Sequence, residues 1–296
     1  MSVFEDLTQA ATSVLEAVGP SVVRIGRNGG RGCGVVIGDG LVATNAHNLR
    51  GDETHVTFAD GRLVVGTVAA LDVDGDLAVL RVDTAGAAPV NWSSEGAATG
   101  GVVFVVTRTA AGGERVSFGM VSGTERAFRG PRGRRIKGSL EHTAPLPRGS
   151  SGSPVVTLAG TVVGINTNRL GDGFYLAMPA DRDLQERLSS LGSGQTRTRR
   201  RLGVGLAPAH VARALRRSVG LDERDGLLVR VVEDDSPAAA AGVRQGDLLV
   251  SLNGAALTNA DDLFDALDGA PDEVRLGIVR GTEELELTVR FDTAQG

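Results

Sequence analysis

The chain has 296 residues, with 31 Lys and Arg against 36 Asp and Glu, for a net charge of −5 at pH 7. That length suits roughly two domains of ordinary size, each able to bury a core, and the acidic balance gives no electrostatic case for nucleic-acid binding. Hydrophobic residues make up 41% but aromatics only 3%, and there are 42 Gly, so Val, Leu and Ala must fill a β-rich, turn-rich fold.

The N-terminus, Met1-Ser2-Val3-Phe4-Glu5-Asp6, has neither the basic start nor the apolar stretch of a signal peptide. No run of ~18 apolar residues exists, so no membrane span is expected. A complete chain would therefore be cytoplasmic, whereas a trimmed one would be exported or anchored. Phe4 to Val18 predicts an amphipathic helix, with Phe4, Leu7, Ala11 and Leu15 at helical spacing and Gly19-Pro20 as the stop. The single Cys33 cannot form an intrachain disulfide and reads as a small buried hydrophobe.

From Val22 to Ala180, short Val, Ile and Leu runs alternate with Gly-, Asp- and Asn-containing turns. That pattern predicts antiparallel barrels rather than βαβ units. Three chemistry-bearing segments lie within it. Leu41-Val42-Ala43-Thr44-Asn45-Ala46-His47 is an apolar strand running into a histidine, and an acidic turn ending at Asp76 precedes Leu77-Ala78-Val79-Leu80. Gly149-Ser150-Ser151-Gly152-Ser153-Pro154 places a serine in a tight Gly turn ahead of another strand. The order His, Asp, Ser is that of the chymotrypsin arrangement, distinct from subtilisin and the α/β-hydrolases. In that reading Ser151 is the nucleophile, His47 the proton shuttle and Asp76 its orienting carboxylate. The N–H groups of Gly149 and Ser151, with Ser150 assisting, would hold the oxyanion.

Three further histidines, His55, His142 and His210, read as packing or surface residues. No Cys/His cluster has metal-ligand spacing and no phosphate-binding Gly loop precedes a helix, so no metal or cofactor is expected. Asp181 to Leu191 predicts a closing helix. Residues 192–199 are Gly-, Ser-, Thr- and Arg-rich and read as a basic flexible linker. Beyond it, Ser236-Pro237 starts a short helix, Gly242 and Gly246 make turns, and Asn253-Gly254 signals a hairpin. Asp261 to Leu267 predicts a further helix.

These motifs resemble those of HtrA/Deg-type serine proteases over nearly the whole chain. Thr44-Asn45-Ala46-His47, Asp76-Leu77-Ala78, Gly149-Ser150-Ser151-Gly152-Ser153 and Gly164-Ile165-Asn166-Thr167 carry the resemblance in the first part. The segment from Ser236 to Gly254 resembles a PDZ signature. The resemblance implies a chymotrypsin-like double β-barrel over residues 1–191 and a small α+β PDZ domain over 200–294. It implies an ATP-independent endopeptidase acting on unfolded or misfolded proteins, and assembly as a homotrimer. Leu202-Gly203-Val204-Gly205 matches the loop that captures a peptide C-terminus, and Leu263, Phe264 and Leu267 are candidates for the other groove wall, although apolar helix residues more often belong to the core. The basic segment Glu125 to Lys137 matches the position of the family's sensor loop. Ser150, Ser153, Thr143 and Asn48 depart from the family's usual Asn, Gly, Asp and Val. Pro145 stands six residues before Ser151, where Arg- or Lys-selective relatives carry Asp, so a small aliphatic P1 residue is implied. The competing reading, of a different class, is a catalytically silent protease-like scaffold whose PDZ domain binds partner C-termini.

Overall fold

A computed structural model describes residues 2–291 except 28–30, 110–112, 130–134, 196–199, 208, 219, 221–223 and 269. The chain divides into two compact units, Met1–Arg197 and Thr198–Gly296. The first begins with α1 (Val3–Val18), where Ser2 and Glu5 exchange backbone-to-side-chain hydrogen bonds in a capping box. Val14 and Val18 bury one face of this helix against the barrels.

Six strands close the first barrel: β1 (Val22–Ile25), β2 (Gly32–Gly38), β3 (Leu41–Thr44), β4 (Glu53–Thr57), β5 (Leu63–Asp72) and β6 (Leu77–Arg81), in the order β1-β2-β3-β6-β5-β4. The second barrel repeats that order with β7 (Val102–Arg108), β8 (Glu114–Arg129), β9 (Arg135–His142), β10 (Pro154–Val156), β11 (Val162–Gly171) and β12 (Phe174–Pro179). Closure leaves no free edge to either sheet. One apolar cluster runs through both barrels, joining Val35, Ala43 and Leu77 to Phe104, Val156 and Ile165. The helix α2 (Arg182–Gly192), capped by the Asp181 carboxylate on the Leu184 N–H at 2.9 Å, adds Leu184, Leu188 and Leu191 to that cluster. The fold is thus mostly β, a chymotrypsin-like double barrel, as its motifs imply.

The second unit is a sheet of β13 (Val204–Leu206), β14 (Leu227–Val232), β15 (Leu248–Leu252), β17 (Glu273–Arg280) and β18 (Glu283–Arg290), with β16 (Ala255–Ala256) attached to β15. Around it lie α3 (Ala209–Ser218), α4 (Pro237–Ala240) and α5 (Ala260–Leu267). The hairpin signal forms as read: Asn253 and Gly254 both take positive φ, at 50° and 83°, between the paired Leu252 and Ala255. Asp247, 1% exposed, is gripped by the Arg280 guanidinium through two 2.8 Å hydrogen bonds. This forked charge-assisted pair ties the start of β15 to β17.

Candidate active site

The register of the first barrel brings the histidine to the aspartate. Strands β3 and β6 pair with Thr44 opposite Ala78, so the residues just beyond one end and just before the other meet. His47 lies in the short 3-10 turn Ala46–Asn48 after β3, and Asp76 precedes β6 with φ of 53°. His47 Nδ1 is 2.9 and 2.8 Å from the two Asp76 carboxylate oxygens, and its backbone N–H donates to Oδ1 at 3.1 Å. Asp76 is 1% exposed. Its fourth contact crosses to the second barrel, where the Thr167 hydroxyl on β11 donates to Oδ2 at 2.6 Å. The Asn45 amide donates to the Asp76 carbonyl at 3.1 Å and holds that turn. A buried carboxylate with three donors stays oriented, and its open neighbour is the imidazole ring.

Ser151 arrives from the turn before β10. Its carbonyl accepts from the Cys33 N–H at 2.7 Å and the Asn48 amide at 3.1 Å, both from the first barrel. Its hydroxyl donates to the Thr167 carbonyl at 3.1 Å. Gly149 and Gly152 adopt φ of 82° and 88°, which the turn requires of them. The backbone N–H groups of Gly149, Ser150 and Ser151 have no protein acceptor among the described residues. Three unengaged amides in one tight turn suit an anion.

The departures from the usual motif acquire roles here. The Ser153 hydroxyl, fully buried, donates to the Ser150 carbonyl at 2.6 Å and accepts from the Asn166 amide at 3.0 Å. Ser150 Oγ donates to the Pro147 carbonyl at 2.8 Å. Asn48 bridges Thr44 Oγ1, at 3.0 Å, and the Ser151 carbonyl, and a Cβ on Gly32 would overlap its amide. Thr143 accepts from the Met120 N–H at 3.0 Å and stabilises the approach to the turn.

Thr167 has the contacts of a functional residue, although sequence reasoning gave it no role. The Gly164-Ile165-Asn166-Thr167 motif was its only signal. His142, read as a packing residue, is indeed buried: it lies 2.7 Å from Asn166 Oδ1 and stacks on Tyr175 with centroids 5.7 Å apart. Burial holds its pKa below the usual histidine value. The folded state therefore favours the neutral ring, and stability falls as pH drops below about 6.5, the unfolded histidine value, where the unfolded chain takes up the proton first. Cys33 is fully buried with Sγ 3.5 Å from the Gly149 carbonyl, and burial pushes its thiol up to about 11. Of the basic segment Glu125 to Lys137, Arg126 pairs with Glu141 at 2.7 Å, while residues 130–134 lie outside the described residues. So do residues 196–199 of the linker.

In the second unit Gly203 takes φ of 76°, where a Cβ would overlap Ser236. Its carbonyl accepts from the Glu233 N–H at 2.8 Å and the Leu202 carbonyl from the Ala238 N–H at 2.9 Å. Val204 to Leu206 pair with β14 on one side only, at the end of the sheet. Leu263 and Leu267 of α5 are core residues, 3% and 6% exposed, packed with Leu202 and Val229. That packing matches the core role that apolar helix residues more often take, and leaves the groove wall without these two side chains. Phe264 is half-buried.

Comparison with known proteins agrees with this fold. A model of the trypsin-like peptidase domain matches residues 32–165, and one of the PDZ domain matches residues 228–280. A protein described as serine protease HhoA of Synechocystis sp. is 30% identical over 289 residues, 91% of this chain and 72% of that one. The mitochondrial serine protease HTRA2 of Bos taurus is 31% identical over 269 residues, 86% of this chain but 58% of its own length. Among solved structures, the HtrA-type protease AlgW with a decapeptide superposes with a TM-score of 0.75 at 22% identity, covering 95% of this chain and 97% of that one. The serine endoprotease from Yersinia pestis gives 0.71 at 22% identity, covering 95% and 96%.

Proposed function

The chain belongs to the HtrA-type serine proteases with a PDZ domain, and we propose that it hydrolyses peptide bonds of unfolded proteins, without ATP, through His47, Asp76 and Ser151. The observation that carries this reading is the buried Asp76 carboxylate holding His47 Nδ1 at 2.8 Å beside a serine turn with unengaged amides. Asp76 fixes the tautomer that leaves His47 Nε2 as a base. The Ser151 hydroxyl turns from the Thr167 carbonyl toward that nitrogen, loses its proton to it and attacks the scissile carbonyl. The N–H groups of Gly149 and Ser151, with Ser150 nearby, receive the oxyanion. His47 then returns the proton to the leaving amine, and water repeats the sequence on the acyl-enzyme.

A fluorophosphonate probe tests this without any chosen substrate. It should label the protein at a single residue, and peptide mapping should find the adduct on Ser151. Absence of labelling, or an adduct on Ser150, would favour the silent-scaffold reading or a different nucleophile.

For the second unit we infer capture of peptide C-termini. The Leu202-Gly203-Val204-Gly205 loop supplies backbone amides for a carboxylate, and the unpaired edge of β13 can add a peptide strand. That AlgW is described with a decapeptide and with a tripeptide supports peptide binding in this fold. The unit from Arg200 onward should bind free-acid peptides ending in an apolar residue, and C-terminal amidation should abolish binding in a fluorescence titration. Equal affinities would exclude this mode. Homotrimer assembly is also proposed: Val3 and Phe4 on α1 are about four-fifths exposed, at 80% and 81%. Light scattering should return three chain masses, and Phe4→Ala should lower that figure.

A further inference from the structure

Beside Ser151 a cavity of about 310 Å³ opens between the nucleophile turn and β11. Its charged lining among the described residues is Arg148 and Arg169, with no Asp or Glu. Arg169 is an exposed residue whose guanidinium is nonetheless held at two points. Its Nη2 donates to the Leu146 carbonyl, and its guanidinium carbon stands 5.1 Å from the centroid of the Tyr175 ring. Tyr175 is itself only 9% exposed and backed by His142. One carbonyl and one ring face thus fix the guanidinium at the wall, while its Nε and Nη1 donors have no acceptor among the described residues.

We propose that this cavity is the S1 pocket and that Arg169 selects an acidic P1 side chain, Asp or Glu, in substrates of this protease. The inference rests on the protease reading and replaces the small aliphatic preference implied by resemblance. An aliphatic P1 side chain would displace water from part of the guanidinium and offer its donors no acceptor, which costs free energy. A carboxylate accepts from the fixed fork with matching geometry. A Lys or Arg side chain would meet two like charges. Because Arg169 is anchored, little side-chain entropy is lost when the anion docks.

Peptidyl diphenyl phosphonates, identical except for a Glu, Gln, Val or Lys side chain at the P1 position, give the test on the full chain. Ser151 Oγ bonds phosphorus as phenoxide leaves and takes the hydroxyl proton, so the labelling rate reads S1 occupancy directly. The Glu probe should react about tenfold faster than the Gln probe, the gain from one partly exposed charge-assisted contact. The Glu-to-Gln ratio should shrink toward unity in Arg169→Met, persist in part in Arg169→Lys, and fall in about 1 M salt, where the screening length is ~3 Å. The salt series on the unmodified protein decides the matter even if Arg169→Met does not fold. Faster labelling by Val than by Glu, or a ratio indifferent to salt and to Arg169→Met, overturns the acidic preference while Ser151 labelling leaves the protease reading standing. Failure of all four probes overturns both.

Discussion

Ser151→Ala is expected to lower kcat for an unfolded protein substrate by about six orders of magnitude, and Asp76→Asn by about four, with the fold intact in both. The serine loss removes the atom that forms the acyl-enzyme, and only the amides of the turn and substrate binding remain to catalyse. The aspartate case is more discriminating. Asp76 accepts from His47 Nδ1, from the His47 N–H and from the Thr167 hydroxyl. An amide at that position turns one acceptor into a donor: it either reverses the Thr167 hydrogen bond or faces His47 Nδ1 and selects the other imidazole tautomer, whose Nε2 carries a proton and cannot act as base. The backbone should tolerate the change, because φ of 53° is a conformation that Asn adopts readily. Unchanged circular dichroism and melting with the loss of rate would separate chemistry from folding. Cleavage within tenfold of wild type in Asp76→Asn would remove Asp76 from the mechanism. Retained cleavage in Ser151→Ala with loss in Ser150→Ala would move the nucleophile.

How far such a site can be read from a chain depends on the range of its interactions. His47, Asp76 and Ser151 each announce themselves through short motifs, because a strand end, an acidic turn and a Gly-flanked turn are local structures. Their mutual geometry is not local. Asp76 meets Thr167 from 91 residues away and Asn48 meets the Ser151 carbonyl across 103, so no window of sequence contains either pair. Asn48 and Ser153 stand in the sequence only as departures from the family's usual Val and Gly. In the folded chain each fills a hydrogen-bonding role at the serine turn. Helical periodicity identified the α5 segment but could not say which stripe faced the sheet, and Leu263 and Leu267 went to the core. Arg169 gave no signal, since its meaning comes only from the Tyr175 ring and the Leu146 carbonyl that hold it.

Gly152→Ala is expected to be the most damaging single methyl in the protease unit, costing about 2–5 kcal/mol. A left-handed φ of 88° penalises any L side chain by about 1–2 kcal/mol. The larger share is steric. The added Cβ would overlap the Cys33 carbonyl oxygen and stand 2.9 Å from Thr44 Oγ1. Neither can retreat cheaply, because Thr44 Oγ1 donates to that same oxygen at 2.7 Å and β2 is paired on both sides. Forcing a group into such a site costs typically about 1–3 kcal/mol more, a large fraction of the ~5–15 kcal/mol that holds a domain folded. Gly149→Ala is the control: φ is 82° but nothing lies within 4 Å of its Cβ, so only the backbone penalty applies. Denaturant midpoints of the protease unit should therefore fall much further for Gly152→Ala than for Gly149→Ala. Activity should fall with it, since the Cys33 N–H that would be displaced holds the Ser151 carbonyl at 2.7 Å. Equal midpoints for the two variants would show that the Cys33 strand yields, and that the contact fixing the nucleophile turn is softer than its geometry implies.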